Sequence, residues 1–240
     1  ITPGPGVVLA ALDAGDVDVV ENTPFFVGQA LEQGTDVQFF CGSWPGINSA
    51  FSISAESDLL TTDEAGSREE ALAQLEGSTV GVAVLGSNVH LWAEAALRDA
   101  DVDPGSVDWV QTGLGPSSIP VLLNGEVDAL ITYPWVTEQL RSSGDGEVMV
   151  AFDVDGPEAI GEQMQNGWIA TESWLEENPE GAEQFCDAIG EANDFMGDEA
   201  NRDAAGEILG AAFEIDDEAV LDDLLRPDGS LAFLDTTKSC

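Results

Sequence analysis

A short pattern that occurs twice constrains the fold more than any other feature of the chain. Leu12-Asp13-Ala14-Gly15-Asp16-Val17-Asp18 is matched by Leu122-Leu123-Asn124-Gly125-Glu126-Val127-Asp128. In both copies an amphipathic helix runs into a glycine, the residue best suited to a left-handed position just past a helix end. An acid, a Val and an Asp then lead into an apolar strand, Val19-Val20 in the first copy and Ala129-Leu130-Ile131 in the second. Thr23-Pro24 and Tyr133-Pro134 follow, and a proline at the first helical position starts a new helix. A helix, a strand and a second helix used twice in this way predict two lobes of similar build.

Periodicity along the rest of the chain predicts helices over 6–14, 24–33, 68–76, 87–99, 117–124 and 134–142. Between them it predicts strands over 17–20, 36–41, 79–84, 107–111, 128–132 and 148–152. The segments 51–54 and 167–170 are extended, and 179–196, 198–212 and 216–225 are helical. Alternation with short connections is the mark of an α/β fold. Taking 51–54 and 167–170 as crossovers gives a discontinuous first lobe of 1–53 and 167–240, and a second lobe of 54–166. Two crossovers imply a hinge and a cleft, and ligands of open α/β sheets bind outside the carboxyl ends of the strands.

Four strand-to-helix corners therefore carry the candidate binding residues: Asn22 and Thr23; Gly86, Ser87 and Asn88; Thr112 and Gly113, followed by Ser117; and Tyr133 with Trp135. Free N–H groups and the helix dipole at such corners favour an anionic or strongly polar group. Ser43 and Trp44 lie in the loop after strand 36–41, and Trp168 in the second crossover. Aromatic faces beside a few placed polar groups suit a small-molecule pocket. Trp92, Trp109 and Trp174 read as packing residues. The single histidine, His90, reads as structural, and no His/Cys cluster suggests a metal. The chain has no nucleophile elbow, phosphate-binding Gly-Lys loop or dinucleotide fingerprint, so neither enzymatic activity nor a cofactor is expected. Cys41, Cys186 and Cys240 show no metal spacing, and the sequence does not select which of them, if any, pair.

Read in order, these segments resemble the solute-binding proteins of ABC importers in the nitrate/sulfonate/taurine group, related to the thiamine-pyrimidine-precursor binders. The resemblance rests on Ala11 to Val19, on Leu75 to Val82 with Gly86-Ser87-Asn88, on Leu122 to Ile131, and on Trp168 to Thr171 with Glu177-Asn178-Pro179-Glu180. It implies a type II periplasmic-binding fold with a hinge and a central cleft. It implies a secreted protein, periplasmic or lipid-anchored at the cell surface, that acts as a monomer and delivers a small organic solute to a membrane permease. The solute would be a sulfonate-like anion or a flat heteroaromatic, with a cation as a third class. The resemblance further implies a strand and helix preceding Ile1. Enzymes of pyrimidine-precursor or menaquinone type, and effector-sensing domains, are the alternatives on this fold. No arginine falls at a cleft corner, so the helix N-termini at Ser87 and Ser117 would have to hold an anion.

Charge narrows the partners. Forty-seven acidic residues face six basic ones, for a net charge of −41. Phosphate neutralisation needs clustered Lys and Arg, so nucleic acid is excluded as a partner, and an anionic membrane surface repels such a chain. The acids alternate with periodic Val, Leu, Ile and Ala, which argues for a folded protein with an acidic shell rather than for disorder. Salt shortens the Debye length to about 3 Å at 1 M and screens the self-repulsion, which points to a salt-rich habitat. Thermal melts followed by circular dichroism should show a higher melting temperature in molar salt than at low ionic strength. Equal stability in both would remove the halophilic reading.

Overall fold

A computed structural model describes residues 5–44, 46–113, 115–157 and 164–226. In chain order the elements are α1 (Pro5–Asp13), β1 (Val20–Asn22), α2 (Pro24–Glu32), β2 (Gln38–Trp44), β3 (Ala50–Ser54), α3 (Thr62–Ala65), α4 (Arg68–Ala73), β4 (Thr79–Val82) and α5 (Asn88–Asp99). Then follow β5 (Asp108–Gln111), α6 (Ile119–Leu123), β6 (Ala129–Thr132), α7 (Pro134–Ser143), β7 (Gly146–Ala151) and α8 (Phe152–Asp155). The last are β8 (Asn166–Ala170), α9 (Glu172–Glu177), α10 (Pro179–Gly197), α11 (Arg202–Phe213) and α12 (Glu218–Leu224). The chain is α/β, as its periodicity predicts. The short helices α3, α8 and α9 are additions to the expected set. The first strand begins at Val20 rather than at 17, because Val20 is where pairing with Ile169 starts. The calls on residues 1–4, Lys238 and Cys240 lie outside the described residues.

The duplicated pattern folds the same way in both places. Gly15 and Gly125 take φ of 74° and 71°. The Asp16 N–H donates to the Ala11 carbonyl at 2.9 Å, and the Glu126 N–H to the Val121 carbonyl at 3.0 Å. Each bond reaches back across the glycine and satisfies a carbonyl that the helix end leaves open. Pro24 and Pro134 then sit in the first turns of α2 and α7.

By internal contacts the chain divides into two compact units. The described parts of Ile1–Ile47 and Gln163–Arg202 form the first, and those of Asn48–Glu162 and Asp203–Leu231 the second. The first contains a sheet of order β1-β8-β2, with β8 antiparallel to both neighbours. Ile169 on β8 is fully buried and packs with Leu12, Val20, Val27, Ala30 and Val37 of α1, α2 and their flanks. Phe39 pairs with Ile169 but Cys41 pairs with Trp168, so Phe40 is an extra residue in β2. Phe40 faces the side opposite Ile169, and the bulge brings Cys41 to that side as well. There the Phe40 ring meets Phe185 of α10 at 5.7 Å and Trp174 of α9 at 6.4 Å.

The second unit contains a sheet of order β5-β4-β6-β3-β7. β4 is parallel to β5 and β6, while β3 runs antiparallel to β6 and β7. Leu122, Val127, Leu130, Val136 and Leu140 fill one core cluster with Trp135 against it, and Phe51 meets Phe152 edge-on at 5.7 Å. A charged link fastens α12 to α7. Glu138 is 4% exposed and binds Arg141, which also reaches Asp223 at 3.5 Å, and Arg226 binds Asp223 at 2.9 Å.

This division differs from the sequence reading in two respects. The segments 51–54 and 167–170, read as crossovers, are strands β3 and β8, each paired on both sides within its own unit. Residues 203–226, read with the first lobe, contact the second unit instead. Among the described residues no helix is long and apolar enough to cross a membrane.

Gly81 on β4 is needed for lack of a side chain. A Cβ there would lie 2.5 Å from Leu130 Cδ2 and 2.7 Å from Thr112 Cγ2. Gly81→Ala should cost about 1–3 kcal/mol by overpacking, measurable by denaturant unfolding in high salt. A neutral result would show that the Leu130 and Thr112 side chains can yield.

Candidate functional site

Each sheet gathers polar residues at one edge. In the second unit β4, β5 and β6 run parallel, so their carboxyl ends share an edge. Gly86-Ser87-Asn88, Thr112-Gly113 and Tyr133 follow those ends. Because β3 is antiparallel, with Ala50 opposite Thr132 and Ala151, its entry residues Asn48 and Ser49 reach the same edge.

The corners are individually well formed. Ser87 caps α5, its Oγ accepting from the His90 N–H at 3.4 Å. The Gly86 N–H donates to His90 Nδ1 at 3.0 Å, which leaves the imidazole proton on Nε2. His90 lies edge-on to Trp109 at 4.6 Å. Thr112 is fixed to Val82, whose carbonyl accepts from its N–H at 2.9 Å and from its Oγ1 at 3.3 Å. Gly113 has φ of 86°, a backbone conformation that glycine adopts without strain. Tyr133 precedes α7 and stacks on Trp135 at 4.7 Å. Trp135 also stacks on Phe213 at 4.5 Å, so two protein rings already occupy it.

In the first unit β1 and β2 lie on either side of the antiparallel β8. Asn22 pairs with Gly167, and Trp44 with Asn166, so Asn22, Thr23, Ser43, Trp44 and the entry pair Gln165-Asn166 lie at one edge. The Thr23 N–H donates to Asn22 Oδ1 at 2.9 Å, and the Ser43 hydroxyl donates to the Glu21 carboxylate. Trp168 is not at this edge. Its ring packs on Phe185 at 5.0 Å, on the face covered by α10.

Six of the nine buried side-chain atoms without a hydrogen-bond partner among the described residues lie at these edges; the other three are Arg68 Nε, His90 Nε2 and Trp168 Nε1. The buried atoms Thr23 Oγ1, Gln165 Oε1 and Asn166 Oδ1 in the first unit, and Asn48 Oδ1 and Nδ2 and Ser49 Oγ in the second, have no hydrogen-bond partner. Buried polar atoms are nearly always paired, so this concentration is unusual. Asn48, Ser49, Gln165 and Asn166 were not among the residues expected from sequence. They enter antiparallel strands, whereas the strand-end rule looks only at carboxyl ends. The signal available was a polar pair directly before each apolar extended segment.

Charge at the site is low. Arg68, Arg98, Arg141 and Arg226 are engaged by carboxylates elsewhere: Arg68 by Glu69 and Asp99, Arg98 by Glu94, Arg141 by Glu138 and Asp223, and Arg226 by Asp223. Hydroxyls, side-chain amides and backbone N–H groups make up the edges, together with the Glu21 carboxylate bound to Ser43. Among the described residues no group of His, Cys, Asp or Glu could hold a metal ion.

The NMT1/THI5-like family profile matches residues 53–201, well over half of the sequence. The chain belongs to this family. No curated protein sequence matches it significantly. Among solved structures it is similar to the periplasmic aliphatic sulphonate-binding protein SsuA of Escherichia coli, with a TM-score of 0.72 and 17% identity over 97% of this chain and 71% of that one. The alkanesulfonate-binding protein SsuA of Xanthomonas axonopodis pv. citri, bound to MOPS, gives a TM-score of 0.69 and 17% identity over 93% and 71%. PhnD1 of Prochlorococcus marinus, in complex with methylphosphonate, gives 0.61 and 16% over 79% and 70%. The fold of this NMT1/THI5-like chain is that of the periplasmic-binding proteins.

His90 gives the second unit a pH signature. Burial holds its imidazole below the usual histidine value, opposed by Glu94 at 3.8 Å. The unfolded chain therefore takes up the proton first. The stabilisation is complete above about pH 6.5, the unfolded imidazole value, and is lost as pH falls from there to the lower folded value. His90→Gln should flatten the fall of melting temperature as pH drops below about 6.5, relative to the parent. An unchanged slope would exclude His90 as its source.

Proposed function

We propose that this chain is the extracytoplasmic solute-binding component of an ABC importer, capturing a small organic oxyanion of the sulfonate class and handing it to a membrane permease. The observation that carries this reading is the set of buried, unpartnered polar atoms at the strand-end edges of both units. A ligand oxygen supplies the missing partner for Thr23, Ser49 or the Asn48 amide N–H. Ser87, Asn88, Gly113 and the N-terminus of α5 add donors of the kind that stabilise an anion without a guanidinium, while Thr112 holds its corner through Val82. Tyr133 lies with them at the edge of the second unit, and Asn22, Ser43 and Trp44 lie at the edge of the first. The neighbours of the same fold are named for sulfonates or hold MOPS and methylphosphonate, which supports an oxyanion. The occupied faces of Trp135 argue against a flat heteroaromatic stacked there. His90, the only histidine, is engaged with Gly86, which favours binding over catalysis. The protein acts as a monomer, located in the periplasm or at the cell surface, and capture proceeds by hinge closure.

Thermal-shift measurements in high salt test the reading with MOPS, short alkanesulfonates, taurine and methylphosphonate, against heteroaromatic and quaternary-amine controls. At about 100 times Kd the cognate class should stabilise the protein by about 2.7 kcal/mol, a rise of several degrees. Asn48→Ala should weaken that binding by roughly 10- to 100-fold, the cost of a lost hydrogen bond to a charged group. No shift with any oxyanion removes the proposal, and a shift only with the controls reassigns the ligand.

A further inference from the structure

The bulge in β2 has a consequence for the cysteines. Cys41 pairs with Trp168, whose ring packs on Phe185 of α10, so Cys41 lies on the face of the sheet that α10 covers. Cys186 is on α10, one residue beyond Phe185. Both cysteines line one cavity of about 600 Å³ between β2 and α10, together with Phe40, Gly42, Ala182 and Glu183. The Cys186 thiol donates to the Phe40 carbonyl at 3.5 Å. That oxygen belongs to the peptide joining Phe40 to Cys41, so standard peptide dimensions place Cys186 Sγ within roughly 6 Å of the Cys41 Cα. The Cys186 sulfur is thus held against the backbone that carries Cys41, and both side chains line the same cavity. Cys41 is buried and Cys186 half-buried, and both are thiols here.

We propose that Cys41 and Cys186 form a disulfide that clamps α10 to β2. Two S–H bonds break and one S–S bond forms. The two electrons and two protons pass to an oxidising disulfide, such as oxidised glutathione or a disulfide-exchange protein, which leaves as two thiols. The link fixes the strand whose carboxyl end carries Ser43 and Trp44 to the long helix behind it. It also closes a long loop, the arrangement in which a cross-link restricts the unfolded chain most. The inference stands on the packing of the first unit and is independent of the solute.

The test is peptide mapping of the full chain in molar salt, after incubation with oxidised glutathione and blocking of remaining thiols with iodoacetamide. Digestion at acidic residues suits a chain with so few Lys and Arg. The expected product is a Cys41 peptide joined to a Cys186 peptide, two hydrogens lighter than their sum and split by reductant. It should persist in Cys240→Ser and vanish in Cys186→Ser. A link from either residue to Cys240, or both residues recovered alkylated from protein with a native circular dichroism spectrum, overturns the assignment.

Discussion

β3 and β8 run against the strands beside them, and their apolar residues are buried. A strand in that position has no water to satisfy an idle amide, so its ladder bonds must all be made, and they fix its register. That register decides the rest of each unit. It sets Ala50 beside Thr132 and Ala151, and it sets Asn166 and Gly167 beside Trp44 and Asn22. The amino end of an antiparallel strand is thereby delivered to the carboxyl ends of its neighbours. Two edges result, each furnished from both directions of the chain.

An unpartnered buried polar group costs about 1–3 kcal/mol. Thr23, Asn48, Ser49, Gln165 and Asn166 all carry such groups, and all lie at these two edges. Under the proposed function each edge is less stable empty than it could be, and a ligand that provides a partner recovers part of the deficit. Differential stability of this kind is what allows a solute to shift a conformational equilibrium.

The scarcity of positive charge works in the same direction. With six basic residues against forty-seven acids, the arginines are drawn to carboxylates that need them most. Glu138 is buried and would be costly without Arg141. Asp223 draws on both Arg141 and Arg226, and Arg68 is shared between Glu69 and Asp99. An oxyanion in such a protein must be held by dipoles and hydroxyls. Those are neutral groups whose strength depends on burial rather than on net charge, and burial keeps them effective in concentrated salt.

Local chemistry alone determined the α/β class, nearly every helix and strand, and the duplicated helix-glycine-strand-proline unit. A glycine at positive φ, a proline in a first turn and a side-chain cap act within a few residues and need no distant partner. Asn22, Thr23, Ser87, Thr112 and Tyr133 were legible as corner residues for the same reason. Four matters were decided only by tertiary structure. Pairing on both sides made 51–54 and 167–170 central strands, and their direction brought Asn48, Ser49, Gln165 and Asn166 to the edges. The bulge at Phe40 placed Cys41 on the face that α10 covers, and side-chain packing sent Trp168 to Phe185 and occupied Trp135. Strand direction, register and ring stacking each depend on contacts between residues far apart in sequence, which no local pattern encodes.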